Sequence, residues 1–398
     1  MFSSKIVHIT KSVGPGSYGV GQVALNLSKA QDAAGMSPEI WTLDETEVAH
    51  RAAAIADLRK DILRPFAASW PQSLGYSREM ERAAVRMPPR QGIVHQHMIW
   101  LLQSRTTRLL AGHQGARVVI APHGALDDWG LQKSKIKKWI ARRAYEDTNL
   151  RNCDCLQATS EREVANFRNF GLKNPIARIN NGVTSAQLMA VGDGAAFRSQ
   201  FSIGSDRRIM LFISRISPQK GLIMMLNAMT ELRSKLGDWL LVIGGSDQDG
   251  HETQVKEEVT RLKLQDHVSF AGPLFGTAKQ DSFAASEVFV LPSYSEGSPM
   301  VVLEAMAARL PIITTKAAPW SQLTEHGCGW WCEVSQSSLR DALEDTFSKR
   351  GVELADMGDR AHELVAGEYT WKVAAQRTSA LYSWITGQGP RPDFITLD

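Results

Sequence analysis

The sequence has little cysteine, only four in 398 residues. Cys153 and Cys155 are separated by one residue and Cys328 and Cys332 by three, so neither pair makes the CxxC unit of a zinc knuckle. Four thiols are too few for a disulfide-built secreted scaffold, and ordinary buried thiols in a reducing compartment are expected. Charge of one sign is not in excess either. Lys plus Arg total 45 against 42 for Asp plus Glu, a net +3, which excludes a dedicated nucleic-acid binder. No uncharged apolar run approaches the ~20 residues of a spanning helix. The opening MFSSKIVHIT lacks the apolar stretch and cleavage site of a signal peptide. A cytoplasmic protein is expected, with any membrane contact peripheral. What is present is globular: 43% hydrophobic and 22% charged residues, in a chain long enough for two domains.

The first 185 residues alternate short apolar runs with helical patterns. Strands are expected at Lys5–Thr10, Glu39–Leu43, Ile93–His97, Arg117–Ala121 and Asp154–Thr159. A second series follows at Ile209–Ile213, Trp239–Ile243, Val268–Ala271, Val288–Leu291 and Pro311–Thr314. Strands alternating with helices make βαβ units and a mostly parallel sheet. Two such series predict an α/β protein of two Rossmann-like domains facing each other across a cleft, residues 1–185 and 206–370. The polar, glycine-bearing stretch 186–205 between them reads as a linker.

Gly14, Gly16 and Gly19 match GxGxxG after the first strand and before a helix, the setting of a dinucleotide site. Asp44, 25 residues past Gly19, is placed to act as the acidic partner at the end of the second strand. The same loop also reads as a tight turn passing close to another ligand.

A more specific pattern is SEGSPMVVLEAMAA at 295–308. Glu296 precedes a Gly297-Ser298-Pro299 turn, a helix starts near Pro299, and Glu304 falls on its second turn. Amides at the helix start suit phosphate, and the two carboxylates can reach hydroxyls of one elongated ligand.

This segment resembles the E-x7-E motif of the retaining glycosyltransferases of family 4, which have the GT-B fold and use nucleotide sugars. Other segments agree in order: Arg215 and Lys220 in SRISPQKGL, FAGPLFG at 270–276, APHGALDDWGLQKSKIKKWIARRAYE, and ATSEREVANFRNFGLKNPIARINNGV, the last two resembling polysaccharide-building members. The similarity runs over residues 5–385. Departures are Ser214 before the arginine, Thr184 where the family has aspartate, and Tyr18-Gly19 in place of paired glycines.

The resemblance implies a metal-independent hexosyltransferase without cofactor, with a nucleotide-sugar donor such as GDP-mannose or a UDP-hexose. The acceptor it implies is a glycan on a polyprenyl diphosphate, in bacterial surface polysaccharide or lipopolysaccharide synthesis. Arg215 and Lys220 would hold the diphosphate, and Glu304 the ribose. Glu296 would lie by the donor sugar, with Gly297, Ser298 and Pro299 around it. Gly272 and Leu274 would meet the base, Gly16 and Gly19 would line the first loop, and His123 would lie beside the transferred sugar. Residues 371–398, with a helix at Trp371–Ile385, would return to the first domain.

Two further features stand beside this set. His95 and His97 share a strand face, but no third metal ligand is visible at metal spacing, and core or cleft-lining rings are expected. Residues 133–143 (KSKIKKWIARR) carry six cations. Lys135, Lys138 and Arg142 lie on one side and Ile136, Trp139 and Ile140 on another, a pattern suited to an anionic membrane surface or to a solvated basic face. The competing functions are another GT-B chemistry (a nucleotide-sugar epimerase or sucrose-type synthase), a nicotinamide-dependent dehydrogenase using the first loop, and a non-catalytic sugar-nucleotide sensor.

Overall fold

The computed structural model describes residues 4–14, 19–87 and 92–397. Its strands, in chain order, are β1 (Lys5–Ile9), β2 (Ser37–Thr42), β3 (Leu63–Pro65), β4 (Ile93–His97), β5 (Arg117–Ala121), β6 (Cys155–Ala158) and β7 (Ile176–Arg178). There follow β8 (Arg208–Ile213), β9 (Trp239–Gly244), β10 (Val268–Gly272), β11 (Val288–Leu291), β12 (Ile312–Thr315), β13 (Gly329–Cys332) and β14 (Ile395–Thr396). Each strand expected from the sequence is present. The short strands β3, β7, β13 and β14 were not expected, and three of them lie at sheet edges. β3 contains Pro65 and β14 has two residues, so neither carries an apolar run to read.

The chain divides into two compact units, residues 1–182 with 371–398, and residues 183–370. The first holds an eight-stranded sheet ordered β14-β7-β6-β5-β4-β1-β2-β3, parallel except where β14 runs against β7. Its inner strands are buried on both faces, as helix-covered parallel sheets require. The helix Val20–Ala33 buries Val23, Ala24, Leu27 and Gln31, one stripe at helical spacing. The helix Trp371–Ile385 packs on it within this unit.

The second unit holds a six-stranded parallel sheet ordered β10-β9-β8-β11-β12-β13 around one continuous apolar core. The linker expected at 186–205 is corrected here: those residues belong to this unit. Thr184 caps the helix Ser185–Met189 through a reciprocal capping box with Gln187. The helix Gly194–Gln200 buries Phe197 in the core. Gly192 and Gly194 lie so close to the backbone of Gln280 and Ala284 that a β-carbon would come within 2.2 and 2.7 Å of their carbonyl oxygens. The glycines that suggest a flexible connector are there for close packing.

Candidate active site

In the second unit the strand order reverses between β8 and β11, and the loops leaving their carboxyl ends flank that switch point, the usual ligand position in an open α/β sheet. Lys220 ends a turn of 3-10 helix, Pro218–Lys220, in the first loop. Gly221 follows at φ +73°, where a β-carbon would lie 1.9 Å from the Pro292 carbonyl oxygen. Only glycine lets the two loops press together. Gln219 then donates from Nε2 to the Ser295 carbonyl at 2.7 Å, and the Tyr294 amide donates to the Gln219 carbonyl at 2.8 Å. The result is a buried ion pair, Lys220 Nζ to Glu296 Oε1 at 2.5 Å, with Ser293 Oγ donating to the same oxygen at 2.5 Å.

The other expected residues of this unit fall into two further sets. Arg215 is exposed after β8, and its Nη1 donates to Gln248 Oε1 at 2.9 Å. The Gly245 amide donates to the Gly272 carbonyl at 2.8 Å, and Leu274 fills the space where a Gly244 β-carbon would stand. Glu304 lies on the second turn of the helix Met300–Ala307, past Gly297, Ser298 and Pro299. It accepts from Gln187 Nε2 at 3.2 Å and pairs with Lys279. No contact joins Glu304 to Glu296; each carboxylate has its own lysine.

In the first unit His123 follows β5 in a left-handed backbone conformation, φ +52°. The Gly124 amide donates to Glu163 Oε1 at 2.5 Å, and the same carboxylate receives the Thr159 amide and hydroxyl. Buried Glu163 therefore clamps the histidine turn to the start of the helix Glu161–Asn169. The His123 ring lies 3.0 Å, Nε2 to Nδ1, from His97. His97 Nε2 is 2.9 Å from Nδ1 of His8, which stands opposite His95 in the β1–β4 ladder. The third imidazole missing from the sequence pattern is thus His8: His8, His95 and His97 each offer a nitrogen within 4.8 Å of the others, all fully buried. Burial lowers His8 and His123 to about 4 and holds His95 and His97 well below the ordinary histidine value.

The first glycine loop fares differently. Gly16 and Tyr18 lie outside the described residues. Gly19 opens the helix Val20–Ala33 at φ +90°. Asp44 is not presented to a ribose: its oxygens accept from Ser12 Oγ at 2.6 Å, the Val13 amide at 2.6 Å and Thr42 Oγ1 at 2.7 Å. It ties the loop after β1 to the end of β2.

Residues 18–182 match the family model described as "Glycosyl transferase 4-like domain", and residues 194–363 match "Glycosyl transferases group 1". The chain belongs to the group 1 glycosyl transferases. It is 27% identical to D-inositol 3-phosphate glycosyltransferase of Kribbella flavida over 325 residues, 78% of this chain and 76% of that one. It is 28% identical to mannosylfructose-phosphate synthase of Agrobacterium fabrum over 243 residues, 59% of this chain and 51% of that one. Among solved structures, Anabaena HepE in complex with UDP and glucose superposes with a TM-score of 0.74 at 16% identity, covering 96% of this chain and 99% of that one. The fold is that of the GT-B glycosyltransferases.

Sequence reasoning missed several polar residues of this glycosyltransferase. Glu146, in a π-helical turn at Arg142–Glu146, accepts from the Trp100 amide at 2.8 Å, from Ser104 Oγ and from Asn149 Nδ2 at 3.2 Å. Burial outweighs these bonds and pushes its carboxyl up to about 7. Lys279, the partner of Glu304, was missed too, as was Glu163 as a clamp, although it lies inside the quoted TSE-x-E segment.

Proposed function

We propose that this glycosyltransferase is a retaining, metal-independent hexosyltransferase using a nucleotide-sugar donor. The observation that carries the reading is the Lys220–Glu296 pair at the switch point of the second sheet. A departing nucleoside diphosphate gathers negative charge, and fixed cations aimed at it lower the barrier. Lys220 fills that role from a buried position and exposed Arg215 from the rim. Glu304 takes the ribose hydroxyls, Glu296 and the Gly297–Pro299 turn face the sugar, and His123 serves the transferred hexose. Retention follows a front-face course, the leaving phosphate oxygen receiving the acceptor proton. GDP-mannose and UDP-hexoses are the candidate donors, and the UDP complex of the Anabaena neighbour supports a nucleoside diphosphate.

The acceptor proposed is the uncharged end of a lipid-linked glycan of a bacterial surface polysaccharide or lipopolysaccharide. Relatives named for a phosphorylated substrate or product suggest a small phosphate instead. The cavity of about 830 Å³ at the ends of β1–β3 argues against it, because among the described residues its wall carries Asp44, Glu45 and Glu79 against the one cation Lys11. Carboxylates suit sugar hydroxyls and repel phosphate.

Thermal-shift titration with UDP, GDP, ADP and NAD, with and without divalent metal, tests the donor. One nucleoside diphosphate binds without metal; binding of NAD alone overturns the reading. Glu304→Ala abolishes turnover and weakens that nucleotide about tenfold to a hundredfold; unchanged turnover removes Glu304 from the site.

A peripheral membrane position on the cytoplasmic side belongs to the same proposal. Among the described residues no helix is long and apolar enough to cross a membrane. The helix Lys135–Ala141 turns its cations differently from the sequence expectation. Lys138 reaches the Gly130 carbonyl and lies over Trp100, and Arg142 pairs with Asp147 over Phe170. Ile136, Trp139 and Ile140 are left 77, 58 and 53% exposed. An apolar face ringed by lysines suits an anionic lipid surface. Co-sedimentation with anionic vesicles falls in a triple serine variant of these three, with transfer to a soluble acceptor retained; undiminished sedimentation refutes the contact.

A further inference from the structure

The buried imidazoles of the first unit form a directional chain, and its direction is set at one end. Thr378 Oγ1 donates to the Ala375 carbonyl at 3.0 Å, so its oxygen can only accept from the Gln31 amide, 3.1 Å away. That orients Gln31: Nε2 faces Thr378 and Tyr382, and Oε1 faces His8 Nε2 at 2.7 Å. An amide oxygen accepts, so His8 carries its proton on Nε2.

His8 and His97 are buried and His123 is half-buried; each ring is neutral in this setting, and a neutral imidazole has one bare nitrogen. His8 Nδ1 is bare and accepts from His97 Nε2 at 2.9 Å. His97 Nδ1 is then bare and accepts from His123 Nε2 at 3.0 Å. We infer that Gln31, His8 and His97 are positioning residues that fix the proton of His123 on Nε2 and leave Nδ1 as a hydrogen-bond acceptor for the substrate. The inference deepens the proposed function, since it rests on His123 lying beside the transferred sugar. It adds that the group met there is a hydroxyl that donates.

The alternative use of these rings demands the reverse. A divalent cation on His8 Nδ1, His95 Nε2 and His97 Nε2 would require a proton on His97 Nδ1, and so on Nδ1 of His123. His95 Nε2 has no partner among the described residues, which keeps that alternative worth measuring. The stacked geometry of His95 on His97, centroids 4.6 Å apart and 18° between planes, favours packed rings over rings converging on an ion.

Proton–nitrogen correlation spectra of the full chain carrying isotopically labelled histidine read the tautomers directly, without ligand. His123 is expected with its proton on Nε2. Gln31→Met removes the terminal acceptor and frees the chain to reverse, so a second His123 tautomer grows in. Thr378→Val, which frees the Gln31 amide to turn over, moves the spectrum the same way, and Gln31→Glu keeps the wild-type pattern. The kcat of Gln31→Met falls on the order of tenfold, with nucleoside diphosphate affinity unchanged because the second unit holds it. A proton on Nδ1 of wild-type His123, a tautomer unmoved in both variants, or one equivalent of divalent metal in the purified protein overturns the inference. Failure of the proposed function shows separately, as absent nucleotide binding.

Discussion

Lys220→Met lowers kcat/KM for sugar transfer by about 10²–10³ and at the same time destabilises the second unit by about 3–5 kcal/mol. The two losses have one origin. Lys220 and Glu296 are both buried, so removing the ammonium strands a carboxylate that has only Ser293 as a side-chain donor among the described residues. A second substitution separates the effects. In Lys220→Met/Glu296→Gln the stranded charge is gone, the amide still accepts from Ser293, and most of the stability returns. Transfer does not return, because the cation proposed to face the leaving group is still missing and Glu296, proposed to face the sugar, is altered as well. Unfolding curves and steady-state kinetics on the two variants decide the matter: if the double variant regains activity with its stability, Lys220 is structural only.

Acidification to pH 5 destabilises the first unit by several kcal/mol relative to pH 7. His8 and His123 stay neutral in the folded protein down to about 4, and burial holds His95 and His97 well below the ordinary histidine value too. The unfolded chain protonates all four from about 6.5 downward. His8 and His123 therefore each favour the unfolded state by about 1.4 kcal/mol per pH unit over that window, and His95 and His97 act in the same direction. Glu146 acts the other way. It holds its proton up to about 7 when folded and only to about 4.5 when unfolded, so it gains stability as the pH falls between those values. Four imidazoles outweigh one carboxyl. Against a typical total of 5–15 kcal/mol, unfolding of the first unit should separate from that of the second in calorimetry near pH 5. A melting profile identical at pH 7 and pH 5 is the contrary result, and His95→Gln should take up one proton fewer on unfolding.

Local signals in the sequence were enough for much of this structure. β4, β5 and β11 run as expected because each is an apolar run between turn residues, and Trp371–Ile385 is the expected terminal helix. The Glu296–Glu304 spacing, with glycine, serine and proline between, places one carboxylate on a loop and the other on a helix. What stayed hidden depends on chain segments far apart. His8 meets His95 only because β1 lies beside β4, a register between residues 87 positions apart. Lys279 reaches Glu304 from another helix, and Glu163 looks like an ordinary first-turn acid until the histidine turn is laid against it. Gly192 and Gly194 misled because glycine serves loose linkers and tight contacts equally well.

The helix Trp371–Ile385 supplies Thr378 and Tyr382 to Gln31, within a unit whose sheet, apart from the edge strand β14, is laid down before residue 183. During synthesis the first sheet can pair and close long before those residues leave the ribosome. Until then nothing orients the Gln31 amide, and the histidines behind it have no fixed direction. Translation order thus leaves the direction inferred for the histidine chain unset until the second unit has been made, so a chain arrested midway is folded in part but lacks that proton order.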